Sequence, residues 1–292
     1  MKRLIYTFLV VTQMGIVVTG GAVRLTGSGL GCPTWPQCTP GSYTPVPHQA
    51  QGQLHSWIEF GNRLLTFFLI VAIFAAIIGY FKWGRNRNDS KILGWMAAVQ
   101  FLGIVAQIVV GGISVLTHLN PFAVSAHFLL SIILIAASIS FRQRMLGKPQ
   151  VTLRPLTKTY GRVLVLLTLV VINLGVIVTG SGPHAGDAMA KRFHIDPRTI
   201  SWLHADSVIA LISLTFGLWL LIKASESSEA KELSSQKIGL FFGICLAQGL
   251  IGYTQYFTGV PELLVGAHLL GATLVWSSIW TFAFSTKLLS TK

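Results

Sequence analysis

The chain has 292 residues, 52% of them hydrophobic and 11% charged, with a mean hydropathy of +0.65. That balance excludes an ordinary soluble domain and fits a polytopic membrane protein, since about 20 apolar residues rising about 1.5 Å each cross a bilayer. The formal charge of +13 would suit a nucleic-acid partner, but placing the N-terminus inside leaves only Arg24, Lys191, Arg192 and Arg198 outside and Arg63 within a span. The positive-inside rule accounts for the excess, excludes nucleic acid and puts both termini in the cytoplasm.

Eight apolar runs lie near 4–24, 55–80, 92–116, 122–141, 161–180, 200–222, 238–257 and 263–288. The expected fold is an all-α membrane protein of eight transmembrane helices. The first run follows Met-Lys-Arg as a signal peptide would, but its text returns later in the chain, so it counts as a span. The loop after it, 25–54, is rich in Gly and Pro and carries Cys32 and Cys38. Two Cys in an exported loop meet an oxidising compartment, and the residues between them can close a small ring. A structural disulfide is expected, with a thiol redox role as the sharper alternative.

Span two opens with His55, Glu59 and Asn62 on one helical stripe and Arg63 at its edge. An intramembrane Glu beside a His is costly without partners and is a functional hypothesis by default. Span three carries Gln107 and Gly111, and span four carries His127. Span five repeats span one, Leu174-Gly175-Val176-Ile177-Val178-Thr179-Gly180 against Met14-Gly15-Ile16-Val17-Val18-Thr19-Gly20. His184 and His194 after it read as solvated loop residues, as do His48 and His118. Span six carries His204. Span seven carries Gln248, Gly252 and Cys245, the last read as a small buried apolar residue. His268, on span eight, follows Gln248 by 20 residues, as His127 follows Gln107.

These matches describe two tandem four-span halves, 1–145 and 160–292, joined by a basic cytoplasmic linker at 146–159. Four is even, so both halves enter the membrane in the same sense, and two four-helix bundles related by a pseudo-two-fold axis along the membrane normal are expected. Counting inward from the outer ends puts Glu59, Asn62, Gln107, His127, His204, Gln248 and His268 near one layer, about 6 to 10 Å deep.

His204 and His268 could face each other across one bundle, the arrangement that ligates a porphyrin iron from both sides. In the first half His127 takes the place of His268, while Asn62, a poor iron ligand, takes the place of His204. One half reads as a closed bis-His site and the other as a site with an open axial face.

The two four-span halves, the run Gly-Ser-Gly-Leu-Gly-Cys-Pro-x-Trp-Pro-x-Cys from Gly27 to Cys38, the Glu59 motif and the paired His positions resemble the haem A synthase family over essentially the whole chain. In particular they resemble its bacterial class with a Cys pair in the first outer loop. The resemblance implies an oxidoreductase that oxidises a ring methyl of haem O to a formyl group in successive steps, giving haem A for terminal oxidases. It implies resident haem b on His204 and His268 with Gln248 beside them. It also implies haem O as substrate in the first half, near His127 and Gln107, with Glu59 as the key catalytic carboxylate and His55, Asn62 and Arg63 around it.

The implied setting is the bacterial cytoplasmic membrane, with the haem sites toward the outer face. Haem O synthase is the implied supplier, the electron donor is unnamed, and self-association is left open. Three departures stand out. Asn62-Arg63 replaces the family's His-Arg pair, with His55 as a candidate substitute for the missing imidazole. Ala205-Asp206 after His204 lacks the matching Arg. The loop after span five lacks the second Cys pair of some members. The alternatives are a di-haem b cytochrome taking electrons from quinol and, less well matched, a repeat-built transporter.

Overall fold

The computed structural model describes residues 1–289. Among them the chain forms eight α-helices and no β-sheet: α1 Lys2–Leu25, α2 Gln53–Trp83, α3 Ser90–Leu116, α4 Pro121–Met145, α5 Pro155–Ser181, α6 Pro197–Ser225, α7 Ser228–Phe257 and α8 Glu262–Ser285. All eight are long and apolar enough to cross a membrane. Pro121, Pro155 and Pro197 each open a helix, where a missing N–H costs nothing and φ is already helical.

The helices differ most from the expected spans at α7, which begins at Ser228 rather than near 238. Its first turns are polar, so hydropathy does not register them. They are helical because Ser227 caps them by accepting from the Ala230 N–H and Glu229 sits in the first turn, complementing the helix dipole.

The chain divides into two compact units, one of Met1–Met145 with Val176–Pro197, the other of Leu146–Gly175 with the chain from Arg198 onward. In the first unit α1 packs on α2 and α4, and α3 packs on α2 and α4, which closes a four-helix ring. Its close-packed core gathers Tyr6, Leu9, Ile73, Ala76, Leu93 and Phe141, toward the end of the bundle that holds the start of α1. The Tyr6 hydroxyl donates to the Ala76 carbonyl at 3.0 Å, and its ring meets Phe141 edge-on at 4.9 Å. Interhelical bonds of this kind contribute about 0.6 kcal/mol each in a bilayer, where van der Waals packing supplies most of the association energy. Outward, α2 exposes Phe67, Phe68, Val71, Phe74 and Ile78, a face suited to lipid.

In the second unit the four helices meet through glycines. Gly217 of α6 lies against Tyr160 of α5, Gly249 of α7 against Ile212 of α6, Gly271 of α8 against Gln248 of α7, and Gly161 of α5 against Leu288 just beyond α8. The segment expected as a linker is partly anchored within this unit. The Val151 N–H donates to the Ser285 carbonyl at 2.8 Å, Gln150 to the Phe284 carbonyl at 2.9 Å, and the Arg154 N–H to Glu226 at 3.1 Å.

Loop 26–52 of the first unit is bracketed by Gly27 (φ 67°) and Gly52 (φ 83°), where the left-handed backbone favours glycine. Gly27 stops α1 and Gly52 starts α2, so the loop lies at the end of the bundle away from the apolar core.

Candidate active site

Glu59 is buried, at 6% exposure, and both its oxygens are engaged. Oε1 accepts from Arg63, at 2.6 Å from Nη2 and 3.2 Å from Nε, an ion pair at the i, i+4 spacing. Oε2 accepts from the backbone N–H of Cys32 at 2.6 Å. Arg63 goes on to donate to three loop carbonyls, those of Cys32 at 2.9 Å, Thr34 at 3.1 Å and Gln37 at 3.2 Å. The stripe on α2 is therefore a clasp on the loop. The expected disulfide between Cys32 and Cys38 closes the clasped segment, with Cα atoms 4.3 Å apart.

His55 also holds the loop. Its Nδ1 lies 3.0 Å from Ser28 Oγ, and its carbonyl lies against Gly31, where a Cβ could not fit. Asn62 is placed differently: its Oδ1 is buried with no hydrogen-bond partner, and its Nδ2 is the nearest atom to the space above Gly20, at 3.9 Å. Gly15, five residues earlier on α1, has nothing within 4 Å of where a Cβ would stand.

His127 rests on Gly111 of α3, where a Cβ would come within 3.1 Å of its Cε1. Its Nδ1 is buried without a hydrogen-bond partner. Gln107 supports it through the backbone, donating to the His127 carbonyl at 3.3 Å and to Ser131 Oγ at 2.7 Å, and leaves its own Oε1 unpartnered.

In the second unit His204 rests on Gly175 and His268 on Gly252, each with Cε1 3.3 Å from the position of a glycine Cβ. Their ring centroids are 6.4 Å apart at an interplanar angle of 81°. Two imidazoles bound to one metal from opposite sides, with metal–nitrogen bonds of about 2 Å, have centroids about 6 Å apart. Both Nδ1 atoms are buried and unpartnered, so each ring keeps a nitrogen that no protein group occupies. Among the described residues no three His, Cys, Asp or Glu gather, so a bare ion would lack a ligand set. A macrocycle that brings its own in-plane donors needs no more than the two imidazoles. Gln248 of α7 is buried against Gly271 of α8.

Sequence reasoning found these histidines but not the glycine beneath each ring, although Gly111 and Gly252 stand at matched spacing before His127 and His268. It also missed Arg63 as the loop clasp and Ser28 as the partner of His55, because loop placement has no periodic signal.

A family model for cytochrome oxidase assembly proteins, COX15-CtaA, matches residues 3–280. The chain is 36% identical to the heme A synthase of Geobacillus kaustophilus over 112 residues, 38% of this chain and 32% of that protein. It is 33% identical to that of Geobacillus thermodenitrificans over 124 residues, 42% of this chain and 34% of the relative. With the heme A synthase of Azorhizobium caulinodans the match is 24% identical over 308 residues, covering 89% of this chain and 86% of the relative. The chain thus spans about a third of the length of the two Geobacillus proteins it matches. With a family model matched over nearly its whole length, the chain belongs to the COX15-CtaA family of cytochrome oxidase assembly proteins.

Proposed function

We propose that this protein is a haem A synthase, oxidising a ring methyl of haem O to a formyl group in successive steps to give haem A for terminal oxidases. The observation that carries this reading is the contrast between two histidine settings. His204 and His268 oppose each other at 6.4 Å, whereas His127 shares its unit with Asn62 and an uncovered Gly15. A saturated iron suits electron transfer and an open position suits chemistry. A cytochrome with two permanent bis-His haems would have no use for Asn62 in that place, which argues against the di-haem alternative.

The residues of the second unit fit haem b. Their unpartnered Nδ1 atoms, glycine seats and spacing suit a porphyrin iron held by His204 and His268, with Gln248 beside them. When bound, that haem supplies electron transfer. In the first unit His127 is the candidate ligand for haem O, oriented through Gln107. Glu59 accepts on both oxygens, the bonding pattern of an ionised carboxylate, and Arg63 and the Cys32 N–H fix it in place. A preorganised anion of this kind stabilises positive charge developing at the carbon being oxidised. Haem O synthase is the proposed supplier and the bacterial cytoplasmic membrane the proposed setting, with both sites toward its outer face and both termini in the cytoplasm.

The test is extraction and chromatography of haems from the protein expressed in a host that makes haem O. Haem A together with haem b is expected; haem b alone would overturn the assignment. A second measurement addresses Asn62. Asn62→His offers an imidazole at the position whose side chain faces Gly20 of α1. It is expected to convert the ferric haem O complex from high-spin to low-spin. An unchanged electron paramagnetic resonance spectrum would show that the position at Asn62 is not axial.

A further inference from the structure

Trp35 stands at the middle of the ring closed by Cys32 and Cys38. Its indole lies on Gly112 of α3, where an added Cβ would come within 2.6 Å of Cδ2 and 2.7 Å of Cε2. The residue before it, Gly111, seats the His127 imidazole in the same way. Successive helical residues are about 1.5 Å and about 100° apart, so α3 uses two adjacent glycines to seat two aromatic rings at one level of the first unit. One ring offers an unpartnered buried Nδ1, and the other is a large apolar face that remains 37% exposed.

A tryptophan brings a large aromatic area to whatever it packs on. Trp35 rests one side on α3 at Gly112 and leaves about a third of that area uncovered, on a segment held by many bonds. Three carbonyls of the ring accept from Arg63, the Cys32 N–H donates to Glu59, Thr34 Oγ1 donates to the Gln37 carbonyl at 2.9 Å, and the Cys38 N–H donates to the Ser42 carbonyl at 2.9 Å. Side-chain rotation aside, the indole is fixed relative to His127.

We propose that Trp35 is a binding residue for the substrate porphyrin, its indole lying against the face of the haem O macrocycle beside the axial His127. The clasp of Glu59 and Arg63 then holds this indole in position as well as setting the carboxylate. The proposal rests on the haem A synthase reading. It adds a contact that selects a flat aromatic macrocycle, since aromatic faces attract one another in offset or edge-on stacking.

The test uses full-length protein carrying Trp35→Ala or Trp35→Phe, titrated with haem O by visible absorbance, with conversion followed in parallel. Trp35→Ala is expected to raise both the half-saturating concentration and KM roughly tenfold or more, as loss of an aromatic stacking partner does elsewhere, while haem b content and the Cys32–Cys38 disulfide stay as in the wild type. Trp35→Phe is expected to recover most of the binding. The tryptophan emission present in the wild type and missing from Trp35→Phe is expected to be quenched when haem O binds. Wild-type binding by Trp35→Ala, or emission that haem O leaves untouched, overturns the proposal. Should Trp35→Ala fail to fold, the emission difference between wild type and Trp35→Phe decides alone. A wild type that neither binds nor converts haem O overturns the synthase reading and this proposal together.

Discussion

Replacing Glu59 by alanine is expected to lower conversion of haem O to haem A by about 10²–10³-fold, the usual loss when one preorganised electrostatic group is removed, while haem b stays bound in the second unit. The carboxylate also accepts from the Cys32 N–H and from Arg63, so the variant loosens the loop as well. Leaving a donor such as the Cys32 N–H unpaired costs about 1–3 kcal/mol. Arg63 keeps its three carbonyl acceptors, which limits the damage. Glu59→Gln separates the two roles, because its amide oxygen can still accept from Cys32 while the charge is gone. Conversion lost in both variants, with haem O accumulating in the extracted pool, places the requirement on the anion. Near-normal conversion by Glu59→Gln would make Glu59 an anchor for the loop and nothing more.

How much of this was legible in the sequence varies from residue to residue, for physical reasons. The spans were readable because a bilayer demands apolar length, and the misjudged start of α7 lies where helix formation depends on a cap at Ser227 rather than on hydropathy. The stripe of Glu59 and Arg63 followed from helical periodicity. What it grips did not, because carbonyls of a loop about 30 residues away in sequence are reached by tertiary folding alone. Equal depth brought His204 and His268 together from counting along helices, and their rings are neighbours. The uncovered Gly15 could not be read at all: its text matches that of Gly175, and only the neighbour on the facing helix distinguishes them. His55 lay on the right stripe for an axial group, yet its Nδ1 is paired with Ser28, a partner that no spacing rule announces.

Substituting alanine for His204 or His268 is expected to strip the resident haem b, lowering its affinity by more than about 100-fold, since even residues that merely support metal ligands cost 10–100-fold when removed. Haem per protein, measured as the pyridine complex, should fall several-fold in each variant, with a monodisperse elution profile in detergent showing that the helices remain assembled. The glycines supply a matched steric test. Gly175→Val and Gly252→Val add branches where even a Cβ would lie 3.3 Å from the imidazole, so both should displace the ring and lower haem b while leaving each histidine in the chain. Gly15→Ala introduces a Cβ with nothing within 4 Å and should leave haem b unchanged. Loss of haem b from the valine variants but not from Gly15→Ala would show that the seat beneath each ring, and not the imidazole alone, defines a closed site. Full haem b content in His204→Ala or His268→Ala would mean that the iron is held elsewhere.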